Sequence, residues 1–147
     1  MLKGEIKKGI VRKTEGQEKK YISQFKGDDY QKCIIAINNM LHTKIYASYH
    51  LRKKSSVSYN MKVICSMLKD GAYDIIEYNR TRGQGRILLE SWETFPVDID
   101  EKTVNCVMKV VVEPKTGQII TVFYNDVKDT HATLNMKRYN KDLEVIF

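Results

Sequence analysis

One histidine of the chain lies inside a basic cluster that could do chemistry on a phosphate. His50 belongs to the run Tyr49-His-Leu-Arg-Lys-Lys54, so that Arg52, Lys53 and Lys54 follow it within four residues. An imidazole titrates near neutral pH and can move a proton, while neighbouring cations can bind the phosphate. A solvated basic loop is an equally good interpretation of this run taken alone. His42 is expected to close a helix, and His131 to be exposed in a polar stretch.

A second basic cluster contains Arg80, Arg82 and Arg86. The segment 79–85 holds two glycines and is predicted to be a loop flexible enough to close over a ligand. It is not a P-loop, because the GxxxxGK[ST] order is absent. Arg86 is predicted to open a strand, where an arginine can bind a phosphate through two hydrogen bonds. The alternative is an edge-strand charge that prevents strand pairing.

The third candidate is Thr121, which lies in a predicted β-hairpin. Two β-branched runs, 106–113 and 118–124, flank the turn Pro-Lys-Thr-Gly. Strict alternation places Ile119, Thr121 and Phe123 on one face and Ile120, Val122 and Tyr124 on the other. Thr121 could donate its hydroxyl to a phosphate oxygen, or it could be a strand residue without further role. Tyr124 is a weaker candidate, for substrate binding, because it cannot share the face of Thr121 without a bulge.

Along the chain, the elements predicted to position these residues are two helices followed by several strands. A helix is predicted from Asp28 or Asp29 to Leu41, and another from a cap at Ser55 or Ser56 to Asp70-Gly71. Between them 44–49 is predicted to be extended. After the helices, strands are predicted at 73–78, at 86–92, in the two arms of the hairpin and at 143–147. An acidic connection is predicted between residue 92 and the hairpin.

The predicted fold class is therefore α+β, with N-terminal helices packed on a mostly antiparallel sheet of four to five strands. Residues 28–147 are predicted to form one such domain. Residues 1–27 are predicted to be a basic arm or an irregular hairpin, with Ile6, Ile10 and Val11 against Tyr21, Ile22 and Phe25.

Charge and composition favour a polyanionic partner. The chain has 25 Lys and Arg against 18 Asp and Glu among its 147 residues, and the excess lies in the first two-thirds. A positive field of this kind raises the local concentration of nucleic acid, although solubility alone would also explain it. No apolar run is long enough to span a bilayer and no secretory signal is predicted, so we expect no membrane and a cytoplasmic location.

Metal and cofactor chemistry are not expected. Cys33, Cys65 and Cys106 are widely spaced and lie in apolar segments, which predicts three reduced core thiols. Three acidic residues of the connection could bind a cation, but a solvated loop is the better interpretation (Asp98, Asp100, Glu101). We therefore expect no metal and no cofactor.

The order of these pieces resembles a known superfamily. His50 with Arg52, a helix, Arg86 on a strand and then Thr-Gly-Gln-Ile-Ile-Thr121 are similar to the barnase/EndoU/colicin E5-D/RelE-like (BECR) nucleases, especially their phage- and toxin-associated branch. The resemblance covers residues 42–126. Relatives commonly carry a tyrosine two residues after the threonine, where this chain has Phe123.

The resemblance implies a metal-independent ribonuclease in which the RNA 2′-OH attacks the adjacent phosphate. His50 would be the acid or base, Arg86 would stabilise developing charge and Thr121 would donate a hydrogen bond. The substrate-binding residues would be Arg52, Lys53, Lys54, Arg80, Arg82 and Tyr124.

The implied partners are tRNA or mRNA and an acidic antitoxin or immunity protein. The main alternative is a non-catalytic nucleic-acid-binding protein of a mobile genetic element, for which Tyr46, Tyr49, Tyr78 and Trp92 are candidate stacking residues. A third interpretation is an interaction protein that is basic only for solubility.

Overall fold

Six strands and three α-helices form the described part of the fold. In this computed structural model, residues 18–54, 58–129 and 135–147 are described. The strands are β1 (Lys19–Tyr21), β2 (Tyr46–Ala47), β3 (Tyr73–Thr81), β4 (Gln84–Ile99), β5 (Lys102–Glu113) and β6 (Gln118–Asp126). The helices are α1 (Asp29–Met40), α2 (Tyr49–Lys54) and α3 (Met61–Asp70).

All six strands belong to one sheet, in the order β1-β3-β4-β5-β6-β2. Every neighbouring pair is antiparallel except β2 and β6, which are parallel. The predicted α+β class, with helices packed on a mostly antiparallel sheet, is confirmed, although the sheet has six strands in place of four to five.

The core lies between one face of this sheet and the helices. Alternate strand residues point to the helices and are fully buried, as Ile87 and Leu89 of β4 show. Ile37 and Met40 of α1 meet them at helical spacing, and Ile64 does so from α3. The other face of the sheet therefore carries the residues in between, including Arg86.

The helices agree with the prediction in part. α1 has the predicted range, and α3 ends as predicted at Gly71, which has a φ of 67°. However, α3 begins at Met61, where the Asn60 side chain accepts hydrogen bonds from two backbone N–H groups. The predicted caps Ser55 and Ser56 lie outside the described residues. The basic run around His50, for which a solvated loop was one of two interpretations, forms α2.

Two predicted loops are strands. The segment 79–85 forms the ends of β3 and β4, closed by a two-residue turn in which Arg82 and Gly83 both have positive φ. β4 also continues through the predicted acidic connection to Ile99, because a bulge after Glu90 restores its pairing with β5. Neither segment is a loop that could close over a ligand.

The segments near the two ends of the chain also differ from the prediction. Residues 143–147 form no strand, because β1 already pairs with β3 at that edge. They cross the helix-bearing face instead, where the Tyr78 hydroxyl donates to the Ile146 carbonyl at 2.7 Å. β1 lies within the predicted arm and is part of the sheet, and residues 1–17, with the predicted hairpin partners Ile6, Ile10 and Val11, lie outside the described residues.

Candidate nucleic-acid interface

Thr121 lies on the sheet face that points away from the helices. β6 contains a bulge, since Val111 pairs with Thr121 while Val112 pairs with Ile119. Ile119 and Val122 therefore both face the helices and are buried. The predicted alternation is wrong for Ile119 but correct in separating Thr121 from Tyr124.

Tyr124 points to the helix-bearing side. Its hydroxyl donates to the Ser58 carbonyl at 3.2 Å, and its ring packs edge-on against Phe95. Burial raises the pKa of this hydroxyl above its ordinary value. Tyr124 thus holds the segment before α3 through its hydrogen bond to the Ser58 backbone.

Arg86 shares the face of Thr121 but is held by a carboxylate. Its Nε donates to Glu113 Oε2 at 2.7 Å, and Glu113 is only 4% exposed. Thr116 donates to the other carboxylate oxygen at 2.9 Å. β5 lies between the strands of Arg86 and Thr121, which places these two strands about 10 Å apart. Thr121 is level with Leu88, two residues along β4 from Arg86, so the two residues are farther apart than their strands.

His50 is exposed on α2, in the helix layer. Its neighbour Leu51 is 2% exposed and packs in the core between sheet and helices. No contact between described residues joins His50 to Arg86 or Thr121. The structure thus places two of the three predicted catalytic residues on one sheet face and the third in the layer on the other side.

The predicted substrate-binding residues Arg80 and Arg82 lie in the β3–β4 hairpin. β5 and β6 lie between this hairpin and β2, the strand that precedes α2 and His50. Arg80 donates to the Glu144 carbonyl at 2.8 Å and to the Tyr78 hydroxyl at 3.4 Å, and so binds the C-terminal segment. Arg82 is exposed in the turn. Arg52 and Lys53 are exposed on α2, whereas the Lys54 side chain lies outside the described part.

The charge distribution contains a signal that sequence reasoning missed. Residues 30–69 hold seven Lys and Arg and no Asp or Glu, while the rest of the chain holds 18 of each sign. The whole net charge of +7 therefore belongs to one segment, which contains β2, α2 and all of α1 and α3 except Asp29 and Asp70. The first two-thirds of the chain, taken as a whole, do not show this, because they include acidic residues on either side of the segment.

Six side chains at the β2 edge of the sheet combine charge with exposed rings. We call them the β2–α2 patch: Lys44, Tyr46, Tyr49, His50, Arg52 and Lys53. All six are at least partly open to solvent, with Tyr46 40% and Tyr49 64% exposed. Cations of this kind bind phosphates, and exposed rings can stack on bases.

The bulge in β6 positions this patch. The Tyr46 and Ser48 backbone N–H groups donate to the carbonyls of Gly117 and Ile119, which pairs β2 with β6. The Ser48 hydroxyl donates to the carbonyl of Ile120, the extra residue of the bulge, at 3.0 Å. The same hydroxyl oxygen accepts from the Leu51 N–H at 3.1 Å and caps α2. The break in β6 alternation therefore anchors the helix that carries His50 and Arg52.

The cysteines have no catalytic setting. All three are free, and Cys33 and Cys106 are fully buried, as predicted, whereas Cys65 is half-buried. Burial raises the pKa of Cys33 to about 12, so its thiol stays neutral and is a poor nucleophile.

The described residues contain no group of three or more side chains suited to hold a metal ion. Asp98, in the predicted acidic connection, accepts a hydrogen bond from Thr103 at 2.9 Å. No helix within the described ranges is long and apolar enough to cross a membrane.

Comparison of the chain with protein-family models, with curated proteins and with solved structures found no match. The resemblance to BECR nucleases therefore rests on the sequence elements quoted above and stays a prediction.

Proposed function

We propose that the protein binds nucleic acid through the β2–α2 patch and the adjoining helices, as a non-catalytic binding protein of the cytoplasm. The observation that carries this proposal is the acid-free segment 30–69, which holds seven Lys and Arg and no Asp or Glu. Five of these cations are exposed, namely Lys44, Arg52, Lys53, Lys62 and Lys69. Such a surface attracts polyanions and releases their counterions on binding.

The distribution of the cations supports binding better than solubility alone. A basic protein that needs only solubility has no reason to exclude acidic residues from 40 consecutive positions. Here segment 30–69 carries the entire excess, and acidic residues of α1 and α3 occur only at Asp29 and Asp70, the outer ends of these two helices, while the remainder of the chain is neutral overall. Lys62 and Lys69 of α3 are exposed and extend the charge beyond the patch.

A metal-independent endoribonuclease of toxin type is the second candidate. Arg86 and Thr121 share a sheet face, which favours it. Arg86 is however bound to Glu113, and His50 belongs to the helix layer, so the described contacts do not assemble the three residues. Binding of tRNA or mRNA is common to both candidates, whereas a neutralising acidic partner is expected only for the toxin.

The decisive experiment compares charge reversals in and outside the patch. Fluorescence anisotropy with a labelled RNA oligonucleotide would measure the affinity of wild type, the Arg52→Glu/Lys53→Glu variant and a control, Lys102→Glu/Lys141→Glu. Both control residues are exposed lysines, one at the β4–β5 hairpin and one beside the β1 edge. The two double variants change the net charge equally.

We expect the patch variant to bind at least about tenfold more weakly than the control, with a salt slope smaller by about 1.4 for two lost phosphate contacts. Equal losses in both variants would show that only net charge matters and would overturn the proposal. Absence of binding by wild type at low salt would also overturn it.

A further inference from the structure

We infer that the β2–α2 patch is a stacking platform for single-stranded nucleic acid, with Tyr46 and Tyr49 as its two base-binding rings. This inference rests on the proposed function and adds the class of ligand. It follows from the exposure of the two rings, their position at the sheet edge and the cations beside them.

Both tyrosine rings are exposed to solvent. Tyr49 is 64% exposed and Tyr46 is 40% exposed. Neither hydroxyl has a hydrogen-bond partner among the described residues, and neither ring stacks on another ring there. Single exposed aromatic residues are ordinary, but these two flank a pair of buried residues, Ala47 and Ser48.

The turn from β2 into α2 keeps the backbones of the two tyrosines close. They are three positions apart in the sequence, so their Cα atoms are at most about 11 Å apart. β2 is the last strand of the sheet on this side, which leaves its outer flank uncovered by any further strand of the described fold. Tyr46 pairs with Gln118, so its side chain lies on the sheet face away from the helices, whereas Tyr49 begins α2 on the other side of the edge. A strand that crosses this edge could therefore contact both rings.

Cations accompany each ring. On α2, Arg52 and Lys53 follow Tyr49 at three and four residues, which places them on its side of the helix. Lys44 precedes Tyr46 by two residues and is exposed. Phosphates of a strand could therefore contact the cations while its unpaired bases stack on the rings, as sequence-tolerant single-strand binders do.

The other candidate aromatic residues do not offer this arrangement. Tyr78 is fully buried, and its hydroxyl binds the backbone of Ile146. Trp92 is 64% exposed, but its indole N–H donates to Asp74 at 2.9 Å, which places a carboxylate beside the ring. A carboxylate repels the phosphates of a passing strand, so Trp92 serves as a control.

The test uses the full chain and three labelled probes: a single-stranded oligonucleotide, the same strand in a duplex, and a strand of equal length in which abasic sites replace the bases. Each probe is measured with wild type and with Tyr46→Leu, Tyr49→Leu, Tyr49→Phe and Trp92→Leu. Tyr49→Phe keeps the ring, and Trp92→Leu removes an exposed ring elsewhere.

We expect each Tyr→Leu change to weaken single-strand binding by about 5- to 100-fold. Binding of the duplex and of the abasic strand should change less than about twofold, and Tyr49→Phe and Trp92→Leu should resemble wild type. The salt slope should stay that of wild type, because no phosphate contact is removed.

If Tyr46→Leu and Tyr49→Leu bound the single strand as tightly as wild type, the stacking inference would be overturned. If Arg52→Glu/Lys53→Glu still lost binding in that case, the proposed function would stand without it. Equal wild-type affinity for the abasic and the intact strand would overturn the inference in the same way. Failure of wild type to bind all three probes would overturn both proposals.

Discussion

The Arg86 guanidinium donates its Nε–H to Glu113 at 2.7 Å, and this ion pair joins β4 to the end of β5. Glu113 also accepts from Thr116, within the turn that leads to β6. The pair thus holds the hairpin whose far strand supports β2. An arginine held in this way stabilises the fold, and its Nε–H is already bound by a carboxylate.

Replacing Arg86 should therefore reduce stability and not nucleic-acid affinity. We expect Arg86→Gln to lower the free energy of unfolding by about 2–3 kcal/mol, because it leaves a buried carboxylate without its charged partner. Urea denaturation measures this change. Arg82→Gln, in an exposed turn, should stay within about 0.5 kcal/mol of wild type. An Arg86→Gln protein of normal stability with tenfold weaker RNA binding would contradict the structural role.

The ribonuclease candidate is tested by cleavage in EDTA. We expect neither wild type nor His50→Ala to cleave tRNA or mRNA, because the described contacts do not bring His50 to Arg86 and Thr121. Gel electrophoresis of labelled RNA after prolonged incubation would measure this. Cleavage by wild type that fell by about 10²–10⁴-fold in His50→Ala would instead establish His50 as a catalytic acid or base.

The sequence predicts those parts of the fold that depend on neighbouring residues. α1 and the β5–β6 hairpin follow from apolar spacing and from turn residues, and both are confirmed. The bulge at Ile120 is different, because it depends on how β6 aligns with β5 and on the Ser48 hydroxyl that binds the released carbonyl. No local pattern contains that information.

Candidate site residues show the same division. The sequence identifies the basic run around His50, and α2 displays it. It cannot show that Arg86 finds a partner 27 residues later, since that pairing comes from strand register. It does contain the acid-free segment 30–69, but this signal becomes meaningful only when the helices are known to form one layer.

Gly117 should be essential for the position of the patch. Its φ is +79°, and an added Cβ would lie 2.3 Å from the Lys44 carbonyl oxygen, at the start of the patch. Gly83 has nearly the same φ, +78°, but nothing lies within 4 Å of its Cβ position. The two glycines therefore separate backbone strain from a steric clash.

We expect Gly83→Ala to cost about 1 kcal/mol of unfolding free energy, and Gly117→Ala about 3 kcal/mol or more, because the second change adds the clash. Urea denaturation would measure both. Gly117→Ala should also weaken RNA binding under conditions in which it is folded, since β2 must move away from β6. Equal stability losses in the two variants would show that Lys44 can yield without cost.

The last prediction concerns the buried ion pair that joins β1 to α1. Lys20, 1% exposed, donates to Asp29 at 2.5 Å and to the Leu143 carbonyl at 3.1 Å. Burial raises the pKa of Asp29, but the hydrogen bonds from the Lys20 side chain and the Lys26 N–H, together with nearby positive charge, outweigh it. The net pKa therefore lies below the ordinary value of 3.8.

A folded-state pKa below the unfolded value means that ionised Asp29 stabilises the protein fully above about pH 4. The stabilisation is lost as the pH falls through the folded-state pKa. Asp29→Asn should thus lower the unfolding free energy at pH 7 by about 3 kcal/mol, and its difference from wild type should shrink below about pH 4. Asp142→Asn is the matched control, because its pair with Lys26 is largely exposed and should contribute little at any pH. Urea denaturation of the three proteins between pH 3 and pH 7 tests this prediction. If the difference in unfolding free energy between wild type and Asp29→Asn stayed constant down to pH 3, the charge of Asp29 would not be the source of the stabilisation.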